Sequence, residues 1–241
     1  MIELRDAIRC FGGRRVVGPI TTVLRTGEVT MLVGENGAGK TTTLELILGV
    51  FPPTSGNVLV NGLESFKASA ETKRLFGYVP YEGVVTDWLT GREYIHLVAS
   101  LYGTSPADAD ARIDALLDRF DLADRIDDLL ATYSSGMRKK IAILAVLAHG
   151  PRYLVLDEPF NGLDPFAVRA LSQLFRELAA SGTGILVSTH TLALADSLAD
   201  RVLVLADGRL VLDASIADVR GRGGLEAILL GSIPSLASRA A

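Results

Sequence analysis

Nine consecutive residues, Gly34, Glu35, Asn36, Gly37, Ala38, Gly39, Lys40, Thr41 and Thr42, carry the densest chemistry in the chain. Their pattern is G-x-x-x-x-G-K-T. Glycines at this spacing let the backbone curl until several N–H groups point at one anion. An apolar run (Val29, Met31, Leu32, Val33) precedes the stretch, and an amphipathic run (Leu44, Ile47, Leu48) follows it and stops at Gly49. Strand, glycine loop and helix are the context that a phosphate-binding loop requires. The helix N-terminus adds about half a positive charge behind the anion. Lys40 is placed to reach the β- and γ-phosphates of a nucleoside triphosphate, and the Thr41 hydroxyl to ligate Mg²⁺.

Further candidates lie downstream. Residues 153–159 read as a buried strand ending in adjacent carboxylates, Asp157 and Glu158, then Pro159. Asp157 can hold Mg²⁺ through water opposite Thr41, and Glu158 can poise a water for in-line attack on the γ-phosphate. An acid pair of this kind also ends many solvated strands, so it gains meaning from the loop upstream. His190 closes the next strand after Ser188 and Thr189, where it can hydrogen-bond the γ-phosphate or the attacking water. The other histidines, His96 and His149, fall in a helical region and suit surface or helix-end roles. No pair has metal-ligand spacing, so a protein-only zinc site is not expected.

Residues 133–137 open a helix with small hydroxyls and a glycine: Ser134, Ser135, Gly136 and Met137 follow Tyr133. Such an N-terminus is either a second anion-binding surface or an ordinary cap. Arg138, Lys139 and Lys140 come next, cations in a first turn at a cost of about 0.3–1 kcal/mol each against the helix dipole. A docked anion or solvent screening would relieve that cost.

The elements that must position these groups follow from patterning. Residues 2–33 alternate short apolar runs with turns and predict a small antiparallel layer. Strands are expected at 58–60 and 76–79, the latter closed by Pro80. Between about 82 and 150 the composition turns helical. Thr90 to Glu93 is a capping box before a helix over 94–102. Ser105-Pro106 opens a helix whose residues Ile113, Leu116, Leu117 and Phe120 share a face. A third helix covers 137–148. After it, strands at 153–156, 185–188, 202–205 and 210–212 alternate with helices at 166–180 and 192–199. The prediction is an α/β fold: a mostly parallel sheet with helices on both faces, an N-terminal antiparallel layer and an inserted helical lobe. The tail, 221–241, has apolar residues (Leu225, Ile228, Leu229, Leu236) and no recognisable chemistry.

Bulk properties narrow the field. A chain of 241 residues with 49% hydrophobic and 22% charged residues can fill a core, and disorder is not expected. The net charge of −4 argues against a dedicated nucleic-acid surface. The single cysteine, Cys10, permits no intrachain disulfide and suits a buried small hydrophobe. The N-terminus reads as a strand rather than a signal peptide, and no uncharged apolar run is long enough to span a bilayer.

With these motifs in place the chain resembles the ATP-binding subunit of ABC transporters over residues 1 to about 220. Residues 34–42 look like Walker A, residues 154–158 like Walker B and residues 133–137 like the signature motif. Asn161-Gly162-Leu163-Asp164 resembles the D-loop and His190 the switch histidine. Phe11 sits where the family has an aromatic that stacks on adenine; otherwise it is a core phenylalanine. The layout, with residues 89–94 and 101–103, looks most like drug- and antibiotic-exporter systems with a separate membrane protein.

The resemblance implies a P-loop NTPase core that binds ATP and Mg²⁺. It also implies a head-to-tail dimer, homomeric or heteromeric, in which Ser134, Ser135, Gly136, Met137 and Asp164 of one subunit close on the partner's nucleotide. A membrane permease would dock near residues 81–101, leaving the chain cytoplasmic and peripheral on the inner face of the membrane. Two departures stand out. Tyr81 replaces the family's glutamine, and a phenol is a poor magnesium ligand. Tyr133 and Ser135 replace leucine and glycine in the signature.

Overall fold

The computed structural model describes residues 1–82 and 86–232. In chain order the strands are β1 (Ile2–Phe11), β2 (Arg14–Leu24), β3 (Val29–Val33), β4 (Ser55–Val60), β5 (Leu63–Glu64), β6 (Phe76–Val79), β7 (Tyr153–Asp157), β8 (Gly184–Thr189), β9 (Arg201–Ala206) and β10 (Arg209–Ser215). The helices are α1 (Lys40–Ile47), α2 (Ser69–Lys73), α3 (Gly91–Leu101), α4 (Pro106–Arg119), α5 (Ser135–Leu147), α6 (Pro165–Ala180), α7 (Leu192–Leu198), α8 (Ile216–Gly221) and α9 (Leu225–Ser232).

One sheet is antiparallel, ordered β2-β1-β4-β5; the other is ordered β10-β9-β3-β8-β7-β6 and is parallel except for its β10 edge. Every residue of β3, β7 and β8 is buried, as strands covered on both faces must be. Side chains alternate between the faces. Leu32, Val155 and Leu186 pack with Leu44 and Ile47 of α1 and with the antiparallel sheet. Met31, Leu154, Leu156 and Val187 pack with the helices of the opposite side.

The antiparallel layer departs in detail from the short runs expected over 2–33. The chain passes through them as two long strands, joined at a turn through Gly12 and Gly13 at positive φ. The β1–β2 register shifts at three points between Leu4 and Cys10. Asp6, at φ 49°, lies in one such irregularity of β1 and exchanges hydrogen bonds of 3.0 and 2.8 Å with the Thr21 hydroxyl. Cys10 is half-buried near the end of β1 rather than in the core, with its N–H bonded to Thr54 Oγ1 at 2.9 Å.

Helices α3, α4 and α5 lie in the chain between β6 and β7, and α3 and α4 pack on α5. Thr90 and Glu93 form the expected capping box, and Ser105 caps α4 ahead of Pro106. Ile113, Leu117 and Phe120 are buried. At the other end of the chain, α9 rests on α7 and α8, and Leu225, Ile228 and Leu229 join the core. Leu236, with the rest of the tail beyond 232, lies outside the described residues. Among those described, no helix is long and apolar enough to cross a membrane.

Candidate functional site

The site forms where β3, β8 and β7 end side by side. Parallel register sets Val33 beside Thr189 and Asp157 beside Ser188, so the loop after β3 and the acid pair after β7 flank the end of β8. The loop depends on glycine at particular points. Gly39 caps α1 at φ 98°, and a Cβ there would fall 2.3 Å from Val17 Cγ1 of β2. Gly34 approaches the backbone so closely that a Cβ would lie 2.6 Å from the Leu205 carbonyl oxygen. Residues 34–38 line an open cleft of about 760 Å³ with His190, Leu192, Asp207 and Leu229.

Lys40 and Glu158 meet in this corner. The Lys40 ammonium donates to the carbonyls of Gly34 (2.7 Å) and Glu35 (3.3 Å) and lies 3.3 Å from Glu158 Oε1. Both side chains are only 7% exposed, a buried ion pair whose partners also have hydrogen bonds. The same Glu158 oxygen is 3.0 Å from His190 Nδ1, and His190 remains about half exposed at the cleft. Thr41 donates to Asp157 Oδ2 at 2.6 Å. Ser188 donates to the other Asp157 oxygen and accepts from the Glu158 N–H at 2.9 Å. Glu158 itself adopts φ 50°, an unusual conformation for a non-glycine residue.

Lys40, Thr41, Asp157, Glu158 and His190 therefore converge, as the motif reading expects. The arrangement offers a cation and loop N–H groups for phosphate oxygens, and a carboxylate next to an imidazole for orienting a water. The Thr41 hydroxyl and the Asp157 carboxylate supply adjacent hard oxygen ligands, the kind Mg²⁺ takes in small number beside substrate phosphates. Among the described residues no cluster of three or more His, Cys, Asp or Glu could hold a metal by itself.

The second set of candidates lies elsewhere. Ser134 caps α5, accepting from the Met137 N–H at 3.2 Å, and both Ser134 and Ser135 are exposed. Ser135 lines a separate cleft with Tyr81, Lys139, Asn161 and Gly162. A Cβ on Gly136 would lie 3.6 Å from the Gly162 carbonyl oxygen, so this helix end abuts the 161–164 loop. None of residues 134–137 lines the cleft of the glycine loop. Tyr133 is buried, its hydroxyl donating to the Arg125 carbonyl at 2.6 Å; burial raises its pKa. Gly91 leaves it room, since a Cβ there would come within 2.6 Å of that hydroxyl.

Because α5 starts at Ser135, the three cations expected in its first turn fall at the end of that turn and in the second, and each has a partner within the chain. Arg138 pairs with Asp87, Lys140 donates to the Phe120 carbonyl at 3.1 Å, and Lys139 donates to the carbonyls of Glu158 (3.2 Å) and Asn161 (3.0 Å). Burial holds the Lys139 pKa below the usual lysine range, opposed by the charges of Glu158 and Asp157.

Asp164 is the N-cap of α6. It accepts from the Ala167 N–H at 2.9 Å, and that bond lowers its pKa. Phe11 is not a core residue: 44% exposed, it meets Phe51 edge-on at 5.4 Å, with the Arg9 guanidinium 4.4 Å from its ring centroid. Tyr81 is 54% exposed, with the Lys139 ammonium 5.9 Å from its ring centroid. His96 bonds Asp110 at 2.9 Å, and His149, just past α5, stacks on Tyr102 at 3.7 Å.

Two residues escape motif reading. Ser188 is detectable in retrospect as a small hydroxyl at a strand end before the histidine, but only the β7–β8 register assigns its partners. Lys139 gives no signal in the sequence beyond its charge.

The ABC transporter family matches residues 17–161. The linearmycin resistance ATP-binding protein LnrL of Bacillus subtilis is 31% identical over 95% of this chain and 74% of its own length. The ABC-type transporter ATP-binding protein EcsA of the same organism is also 31% identical, over 94% of this chain and 92% of its own. A solved structure described as the ATP binding subunit of an ABC transporter superposes with a TM-score of 0.86 at 35% identity, covering 92% of this chain and 93% of that one.

Proposed function

This chain belongs to the ABC transporter family, and on that premise we propose that it hydrolyses ATP as one half of a head-to-tail dimer that drives a separate membrane exporter. The observation that carries the reading is that Lys40 and His190 both lie within 3.3 Å of one Glu158 oxygen, beside a Thr41–Asp157 bond of 2.6 Å.

In this reading the N–H groups of residues 34–42 cradle the triphosphate, and Phe11 offers its exposed ring to the base. Lys40 exchanges Glu158 for phosphate oxygens as nucleotide enters. That exchange frees the Glu158 carboxylate to take a proton from the attacking water, with His190 keeping it aimed at the γ-phosphate. Ser188 keeps Asp157 directed at Thr41. Those two residues would hold Mg²⁺, which supplies charge neutralisation to the phosphate oxygens when bound. The cap of Ser134, Ser135, Gly136 and Met137, with both serines exposed and none of the four lining its own loop's cleft, suits closure on the nucleotide of a second copy or a related subunit. Asp164 takes part by fixing the loop before α6.

The similarity to LnrL, a linearmycin resistance protein, supports export as the direction. A placement on the inner face of the membrane follows from docking on such a partner. Tyr81, a phenol beside Lys139 in place of an amide, favours a second reading in which ATP closes the dimer and hydrolysis is slow.

Turnover of the complex assembled with its membrane partner tests the proposal. Wild-type activity should exceed that of Glu158→Gln by at least about a hundredfold, the scale of general-base catalysis. Equal activities would refute it in favour of the second reading.

A further inference from the structure

We propose that Lys139 is a positioning residue for hydrolysis: its ammonium ties the turn bearing Glu158 to the second turn of α5, so that the helical segment sets the aim of the Glu158 carboxylate. This rests on the reading that Glu158 poises the attacking water.

Glu158 adopts φ 50°, a left-handed conformation that persists in a non-glycine residue only where its surroundings hold it. Its N–H is bonded on one side to Ser188 Oγ (2.9 Å) and the Ser188 carbonyl (3.2 Å). Its carbonyl accepts on the other side from the Asn161 N–H (3.3 Å) and from Lys139 Nζ (3.2 Å). Lys139 then reaches the Asn161 carbonyl at 3.0 Å, so one ammonium spans both ends of the 158–161 turn. Among these restraints, the Lys139 bonds are the ones that come from the helical segment. Ser188 belongs to the sheet, and Asn161 to the turn itself.

The other side of the ammonium faces the ring of Tyr81, 5.9 Å away and just past β6. Three stretches far apart in sequence therefore meet at one charge: the segment after β6, the N-terminal half of α5 and the turn carrying the catalytic carboxylate. A displacement of α5 would pull on the Glu158 carbonyl. With the N–H anchored by Ser188, the change would appear as rotation of the side chain relative to Lys40 and His190. The Glu158 side chain makes no bond to Lys139, so the effect acts through the backbone.

The test uses the complex assembled with its membrane partner. Lys139→Met should lower kcat by roughly ten- to a hundredfold, as a displacement of about 1 Å does in a preorganised site. KM for ATP should stay within about twofold, because the loop that binds phosphate is untouched. Lys139→Arg, able to span both carbonyls, should recover most of kcat, and Lys139→Gln should fall between. Lys139→Met at wild-type kcat overturns the inference alone. So does a parallel loss of kcat and ATP affinity that Lys139→Arg does not correct, which would mark a purely structural role. If Lys139→Met does not fold, the same criteria apply to Lys139→Gln against Lys139→Arg. A wild-type complex no more active than Glu158→Gln would instead defeat the functional reading and this inference with it.

Discussion

His149 shows how burial alters a single side chain. Its ring lies parallel to that of Tyr102 at 3.7 Å and bonds the Phe76 carbonyl at 3.1 Å. Burial, chiefly, brings its pKa down from 6.5 to about 4, with Arg112 adding to the effect. A base whose folded pKa is depressed binds fewer protons folded than unfolded. Its contribution is thus intact above pH 6.5 and is lost progressively as the pH falls towards about 4. Melting temperatures across this window should fall more steeply for wild type than for His149→Phe, which keeps the stacked ring and cannot titrate. Parallel slopes would contradict the assignment. At the site the same principle works through pairing. Lys40 and Glu158 are tolerated in the interior because each satisfies the other and each has further hydrogen bonds.

At the scale of elements, the junction of β3 and α1 depends on two glycines with different surroundings. Gly37 and Gly39 both have positive φ, 83° and 98°. A Cβ on Gly37 would meet nothing within 4 Å, whereas one on Gly39 would strike Val17 of β2 at 2.3 Å. Gly37→Ala should therefore cost only the backbone strain, about 1 kcal/mol. Gly39→Ala must also displace β2 and should cost at least about 1 kcal/mol more. Urea unfolding without nucleotide measures the difference, and equal losses would show that β2 yields freely. Caps matter in the same way at α5 and α6. Ser134 and Asp164 each terminate a helix with a side-chain bond, so each has a local duty in addition to any toward nucleotide.

At the scale of the whole molecule, the helices between β6 and β7 present apolar side chains to solvent. Trp88 is 78% exposed, Leu101 76%, Leu129 48% and Leu97 46%. On the proposed function, these side chains are the ones that contact with a partner would cover. Trp88, Leu97 and Leu101 lie where the family resemblance puts the membrane partner, although residues 83–85 of that stretch are outside the described residues. Leu101→Glu should abolish co-purification with the membrane subunit while leaving nucleotide binding intact. Retained co-purification would place the permease elsewhere. Dimer closure belongs to this scale too. Glu158→Gln with ATP should elute as a dimer in size exclusion, and with ADP as a monomer; a monomer in both would remove the head-to-tail arrangement.

Much of this protein is legible from local chemistry. The G-x-x-x-x-G-K-T loop, the carboxylates that end a buried strand, the caps at Thr90 and Ser105 and the strand–helix alternation all rest on interactions between near neighbours in sequence. Those interactions, in which backbone conformation and side-chain type decide the outcome, determined the α/β class and the residues around the phosphate loop. The tertiary structure decided what lies between them. It set β8 between β3 and β7, so that Ser188 bridges Asp157 and the Glu158 N–H. It paired Arg138 with Asp87, seated Lys139 and Lys140 on three backbone carbonyls, and carried β1 past Asp6 on a bulge. Strand order and register are collective choices of the packed core. A bond between groups more than a hundred residues apart, as from Thr41 to Asp157, exists only once that packing is complete.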